Sequence, residues 1–224
     1  MFKVALFDLD GTLFDTLPDI HGALEYSLSK NGLLTSSISL QQTRSFIGDG
    51  LKAFLQKAVS HFTDLKECPD EVIQDYMSFY RDNCINNTVP YNGIEFLLDS
   101  LVALDIKMLV VSNKSEVFVK KIIKYFSFDK YFVESFGGDS FSTKKPSPIP
   151  ILESIKFLSS LTSSNYNLDD VIMIGDSEND ILSGEAAGVK TCLCKYGYGL
   201  PMSCVPNYYA ENANDIFLKC FKGV

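Results

Sequence analysis

The chain has 224 residues, 46% of them hydrophobic and 21% charged, a balance that fits a globular protein with a substantial core and excludes disorder. The 20 lysines and arginines against 28 acidic residues give a net charge of -8, which argues against binding to nucleic acid or to an acidic membrane, since both need a basic surface. No apolar run is long enough for a membrane span, and Asp8 interrupts the N-terminal one before it can serve as a signal segment, so the expected location is the cytoplasm.

The first element is Val4 to Phe7, an unbroken apolar run of the kind expected for a parallel strand covered on both faces. Asp8 and Asp10 follow it two residues apart, so their side chains start on one face, and Gly11 and Thr12 then turn the chain. Two carboxylates so close repel each other unless a cation, a shared proton or a phosphoryl group lies between them. The pair reads as a magnesium-assisted aspartyl nucleophile with a second Asp as acid/base, or more blandly as a strand that ends in a polar turn. A calcium loop is discarded, because Leu13 and Asp19 occupy the places of its glycine and its bidentate glutamate.

Helical spacing then runs from Ile20 to Asn31, Leu40 to Phe46, Leu51 to Phe62 and Asp70 to Asn83. No strand-like run appears between Thr16 and Thr88, which makes an all-helical segment of about seventy residues, enough for a small bundle. From Pro90 onward strands and helices alternate, the mark of a parallel sheet with helices on its faces. Helices are expected at Gly93 to Leu104, Glu116 to Phe126, Pro148 to Ser160, Ile181 to Ala187 and Ala213 to Phe221. Strands are expected at Lys107 to Ser112, Tyr131 to Ser135, Val171 to Gly175 and Thr191 to Lys195. The implied fold is α/β: a Rossmann-like parallel-sheet core from residues 1–16 and 89–224, with a small all-helical domain, residues 17–88, inserted after the first strand.

The six cysteines form no CxxC pair, and Cys192 and Cys194 alternate onto one face of a strand as small buried thiols do. With only two histidines in the chain, structural zinc is not expected, and reduced thiols fit the cytosol. Polar residues instead gather after the strands: Asp8 and Asp10 after the first, Ser112, Asn113 and Lys114 after KMLVV, Asp176 and Asp180 after VIMIG. In an open parallel sheet those strand ends form one rim, where ligands bind. Taken singly, Ser112 reads as a helix N-cap before Glu116, Lys145 as a solvated lysine in a turn, and Asp176 to Asp180 as the cap of the next helix. His21 and His61 read as structural or exposed.

In their order along the chain, Asp8-Leu9-Asp10-Gly11-Thr12, Ser112, Lys145 in KKPSP, and Gly175-Asp176-Ser177 with Asp180 resemble the four motifs of the haloacid dehalogenase-like hydrolases. FIGDG (Phe46 to Gly50), PYNGI (Pro90 to Ile94), GGD (Gly137 to Asp139) and YGYG (Tyr196 to Gly199) extend the resemblance to the phosphoglycolate phosphatases within that group. The resemblance implies that Asp8 attacks phosphorus and carries a transient aspartyl phosphate, and that Asp10 serves as acid and then base. It implies Mg2+ as cofactor, held by the Asp8 carboxylate, the Asp10 main-chain carbonyl and Asp176, with Asp180 as an additional or orienting ligand. Thr12 in the turn after Asp8, Ser112 and Asn113 would bind phosphoryl oxygens, and Lys145 would neutralise nucleophile and phosphoryl group.

The helical insert resembles a cap that excludes water during transfer, with Arg44, Gly48, Asp49 and Gly50 as its substrate-specificity residues. The expected partner is a small anionic phosphate ester, most simply 2-phosphoglycolate, with neither nucleic acid nor membrane, and the protein is either a monomer or a homodimer. A sugar-phosphate or pyrophosphate phosphatase remains open, because the four motifs do not read the leaving group. A hexose-phosphate mutase of the same superfamily would place a histidine five residues after Asp15, where this chain has Ile20 and puts His21 one place late. A phospho-acceptor signalling module is the non-enzymatic alternative, although it lacks an inserted cap.

Overall fold

The computed structural model describes residues 2–199 and 203–222. In chain order, β1 (Val4–Phe7) and β2 (Phe14–Asp15) lead into four helices, α1 (Leu17–Lys30), α2 (Leu40–Phe46), α3 (Leu51–Phe62) and α4 (Asp70–Asn83). Then follow β3 (Val89–Pro90), α5 (Ile94–Ala103), β4 (Lys107–Val111), α6 (Glu116–Tyr125), β5 (Glu134–Phe136) and α7 (Ile149–Thr162). The chain closes with β6 (Val171–Gly175), α8 (Glu178–Ala187), β7 (Lys190–Cys194), β8 (Tyr208–Ala210) and α9 (Ala213–Ile216).

Six strands form one parallel sheet in the order β5-β4-β1-β6-β7-β8. Counted along the sheet alone this is the 3-2-1-4-5-6 order of doubly wound α/β proteins, whose chain reverses direction at the first strand and leaves a crevice beyond the strand ends. Val4 and Leu6 of β1, with Leu109, Val111, Val171 and Met173 of its neighbours, pack against Ile151, Ile155 and Leu158 of α7. The alternate residue Phe7 meets Phe132 edge to face at 6.1 Å. Both faces of β1 are therefore dry, which is why its sequence is apolar at every position and not at alternate ones.

The chain divides into two compact units, Met1–Asp15 with Pro90–Val224, and Thr16–Val89. The second unit is all helical. Its core comes from Ile20, Leu24 and Leu28 of α1, Phe54, Leu55 and Val59 of α3, and Val72, Tyr76 and Tyr80 of α4, the residues that recur every three or four positions. Ser39 and Gln42 cap α2 reciprocally. Asp19, only 4% exposed, accepts hydrogen bonds from the main-chain and side-chain donors of both Asn87 and Thr88, closing the two ends of this unit on each other. Its carboxylate is satisfied by four donors.

Several element boundaries differ from the sequence expectation. The short strand lies at Glu134–Phe136 and not at Tyr131 to Ser135, because Tyr131 and Phe132 are used as packing side chains in the turn that precedes it. Helix α8 begins at Glu178, three residues before Ile181, because Ser177 and Asp180 form a capping box. Helix α1 begins at Leu17, with Pro18 in its first turn. The last helix is α only over Ala213–Ile216 and widens to a π-helical turn over Phe217–Lys222. Strand β8 and the small β2-β3 sheet carry no apolar run to announce them.

Candidate active site

The site grows from the end of β1. The Asp8 amide donates to the Ile174 carbonyl at 2.9 Å, which places Asp8 beside Gly175 and therefore beside Asp176. The turn after it is tight: the Leu9 carbonyl accepts from the amides of Thr12, Leu13 and Phe14, and Gly11 takes φ +83°. A Cβ at Gly11 would overlap the Asp176 carboxylate, so glycine is required both for the turn and for the close approach.

Asp8, Asp176 and Asp180 come together with one carboxylate oxygen of each within 4.8 Å of the others, all three buried. Lys145 lies among them. Its Nζ is 2.9 Å from Asp8 Oδ1, 2.6 Å from Asp180 Oδ1 and 2.5 Å from the Val111 carbonyl. Asp180 Oδ2 accepts from the Ser177 amide and hydroxyl, so Asp180 joins the Lys145 ammonium to the first turn of α8. Asp10 pairs with a different cation, Lys114, whose Nζ is 2.9 and 3.0 Å from its two oxygens.

Burial dominates the electrostatics of this cluster. It raises the Asp8 carboxyl to about 6, against the pull of Lys145 and with the help of Asp180 and Asp10. Asp176 is pushed well above the ordinary carboxylate range by burial, then by Asp180 and Asp8. Burial works to lower Lys145, but Asp180 and Asp8 outweigh it and hold the ammonium above its ordinary value. Three converging acids with one ammonium carry more negative charge than a dry site tolerates, and all-oxygen donors fit a hard divalent cation.

The remaining walls are loops. Ser112 is buried after β4, and its hydroxyl accepts from the Lys114 amide at 3.3 Å. It is not the cap of α6, since Ser115 holds that position and Asp139 takes the Glu116 amide. Asn113 donates to the Lys145 carbonyl at 2.8 Å. Thr12 donates to Asp176 Oδ1 at 3.3 Å, and the Tyr198 amide donates to Asp176 Oδ2 at 2.5 Å. A Cβ at Gly197 would overlap the Gly11 carbonyl and the Asp176 side chain, and one at Gly199 would overlap the Asp176 carbonyl. Lys145, far from being a solvated turn residue, is 2% exposed.

The structure thus brings Asp8, Asp10, Thr12, Ser112, Asn113, Lys145, Asp176 and Asp180 to one rim of the sheet unit. Arg44, Gly48, Asp49 and Gly50 belong to the helical unit, Arg44 in the last turn of α2 and the others in the link to α3, where Asp49 pairs with Lys57 at 2.7 Å. His21 lies in that unit too, between Thr43 at 2.8 Å and Glu25 at 3.4 Å. Two contributors escaped the sequence: the partner of Lys114, and the Tyr198 amide on Asp176. The alternating glycines of YGYG were the available signal for the second.

The chain belongs to the haloacid dehalogenase-like hydrolases, whose family model matches residues 5–194. Among its relatives, the phosphoglycolate phosphatase of Aquifex aeolicus (strain VF5) is 34% identical over 214 residues, covering 96% of this chain and 94% of that one. The phosphoglycolate phosphatase of Neisseria meningitidis serogroup A is 33% identical over 201 residues, covering 88% and 82%. The crystal structure of a predicted phosphoglycolate phosphatase from Haemophilus somnus 129pt matches with a TM-score of 0.87 at 28% identity over 98% of both chains.

Proposed function

We propose that the protein is a Mg2+-dependent phosphatase that hydrolyses a small phosphate monoester, 2-phosphoglycolate, through an aspartyl phosphate on Asp8. The observation that carries this reading is the buried Asp8, Asp176 and Asp180 cluster with Lys145 at 2.9 Å from Asp8. The names of the relatives support the choice of substrate, and membership of a hydrolase family favours turnover over a phospho-acceptor that reacts once.

In this reading an Asp8 carboxylate oxygen attacks phosphorus as the bond to the leaving oxygen breaks, and Asp10 gives that oxygen its proton. A water molecule then attacks the same phosphorus and passes its proton to Asp10, which releases phosphate and restores both carboxyl groups. Lys145 offsets the charge of the nucleophile and the phosphoryl oxygens, while Ser112, Asn113 and the Thr12 turn hold those oxygens. Mg2+, bound by the Asp8 and Asp176 carboxylates and the Asp10 carbonyl, would supply Lewis-acid stabilisation of the transferring group. Asp180 keeps Lys145 in place. The helical Thr16–Val89 unit serves as the cap, with Arg44, Gly48, Asp49 and Gly50 as its substrate-specificity residues.

Phosphate release from a panel of small phosphate esters, with and without Mg2+, tests the reading in wild type and Asp8→Asn. Selective, metal-dependent turnover of 2-phosphoglycolate that the substitution abolishes is the expected result. Turnover that survives Asp8→Asn would overturn the mechanism, and preference for a sugar phosphate would overturn the substrate.

A further inference from the structure

Lys114 has no part in the chemistry above, yet it is built into the site. Its side chain is 7% exposed and that of Asp10 is 13% exposed, and the ammonium spans both Asp10 oxygens at 2.9 and 3.0 Å. The site has two lysines with separate duties, because Lys145 is already committed to Asp8, Asp180 and the Val111 carbonyl.

The backbone that presents Lys114 is fixed from the far side by the Gly137-Gly138-Asp139 turn. The Gly138 amide donates to the Lys114 carbonyl at 2.8 Å, and Asp139 accepts the Glu116 amide at 2.7 Å. A Cβ at Gly137 would overlap the Glu116 backbone, and one at Gly138 would overlap the Asn113 carbonyl. The two glycines therefore let one loop lie flat on the other. The unbranched lysine side chain can exchange partners above that fixed backbone.

We infer that Lys114 is a specificity residue that reads negative charge on the leaving group of the substrate, exchanging the Asp10 carboxylate for a carboxylate carried by the departing alcohol. The inference rests on the phosphatase reading, in which Asp10 faces the leaving oxygen, so that a cation lying across Asp10 stands on the leaving-group side. Charge balance points the same way. When Asp10 holds the proton that it gives to the leaving oxygen, Asp8, Asp176 and Asp180 against Lys145 leave a formal charge of -2, which a divalent cation offsets, and the Lys114 ammonium is the charge that a carboxylate on the leaving group would meet.

The test compares two esters of one skeleton, 2-phosphoglycolate and 2-hydroxyethyl phosphate, which differ in whether the leaving group is charged. Wild type should favour 2-phosphoglycolate in kcat/KM by about tenfold or more, Lys114→Met should bring the ratio near one, and Lys114→Arg should keep the preference. Thermal melts establish that each variant is folded, and the wild-type ratio itself needs no variant. If Lys114→Met slows both esters equally and leaves the ratio unchanged, the lysine only holds Asp10 and the inference falls. If wild type cleaves both esters without preference, the inference falls while the phosphatase reading stands; if it cleaves no phosphate ester, both fall.

Discussion

The Lys145 ammonium lies 2.6 Å from Asp180 Oδ1, with the two side chains 2% and 0% exposed. A pair this dry is expensive to break from one side, since the remaining carboxylates are shut off from water and have lost their counter-ion. Lys145→Met should therefore destabilise the metal-free protein by about 3–5 kcal/mol at neutral pH, measured by urea denaturation. The loss should shrink in acid, where the crowded carboxyls take up protons and stop repelling one another. An equal loss at about pH 5 and about pH 8 would contradict the electrostatic account.

Asp8 sits at about 6 in the folded chain against an ordinary 3.8, and Asp176 is displaced in the same direction. A carboxyl raised by folding stabilises the native state fully below its unfolded value, and that contribution is lost as pH rises through the folded value. A divalent cation competes with those protons. The rise in Tm that Mg2+ produces over EDTA should accordingly grow between about pH 5 and about pH 7.5 in calorimetry. A constant increment across that range would show that the cation binds elsewhere.

Gly197 is packed where any side chain meets the Gly11 carbonyl and the Asp176 side chain. Gly197→Ala should cost about 1–3 kcal/mol in overpacking and weaken Mg2+ affinity by displacing Asp176. Metal titration followed by protein fluorescence or calorimetry reads the second effect. Destabilisation without any change in metal affinity would separate the loop from the acids.

In the helical unit, Asp19→Asn turns an acceptor oxygen into an NH2 group among four donors from Asn87 and Thr88. The expected cost is about 1–3 kcal/mol, seen as a lower urea midpoint at neutral pH. A neutral result would mean that the segment rearranges to meet the amide.

Much of this was legible because the chemistry sits at the ends of apolar runs. Val4–Phe7, Lys107–Val111 and Val171–Gly175 are continuous in the sequence because the sheet is buried on both faces, and each ends in polar residues that nothing in a core explains. Helices α2, α3 and α4 were legible to the residue, α3 and α4 because their buried residues keep helical spacing. Strand β8 was not, since Tyr208 and Tyr209 lie at a sheet edge with partial exposure and no periodicity.

The Lys114 to Asp10 pair spans 104 positions and depends on the alignment of β1 with β4, which no local pattern encodes. The role of Gly137 and Gly138 was equally hidden. Their reason is the neighbouring loop, 113–116, and not their own turn.

The central place of β1 also governs how the chain acquires its form. Val4–Phe7 pairs within the sheet with Lys107–Val111 and Val171–Gly175, so each of its edges must wait for a segment that lies far along the chain. The helical Thr16–Val89 unit, with a core of its own, lies between β1 and both of these partners in the sequence. Such distant pairings slow folding, because a long loop must close before any contact rewards it. The acidic rim is consequently complete only when Val171–Gly175 takes its place against Val4–Phe7 and brings Asp176 and Asp180 to Asp8.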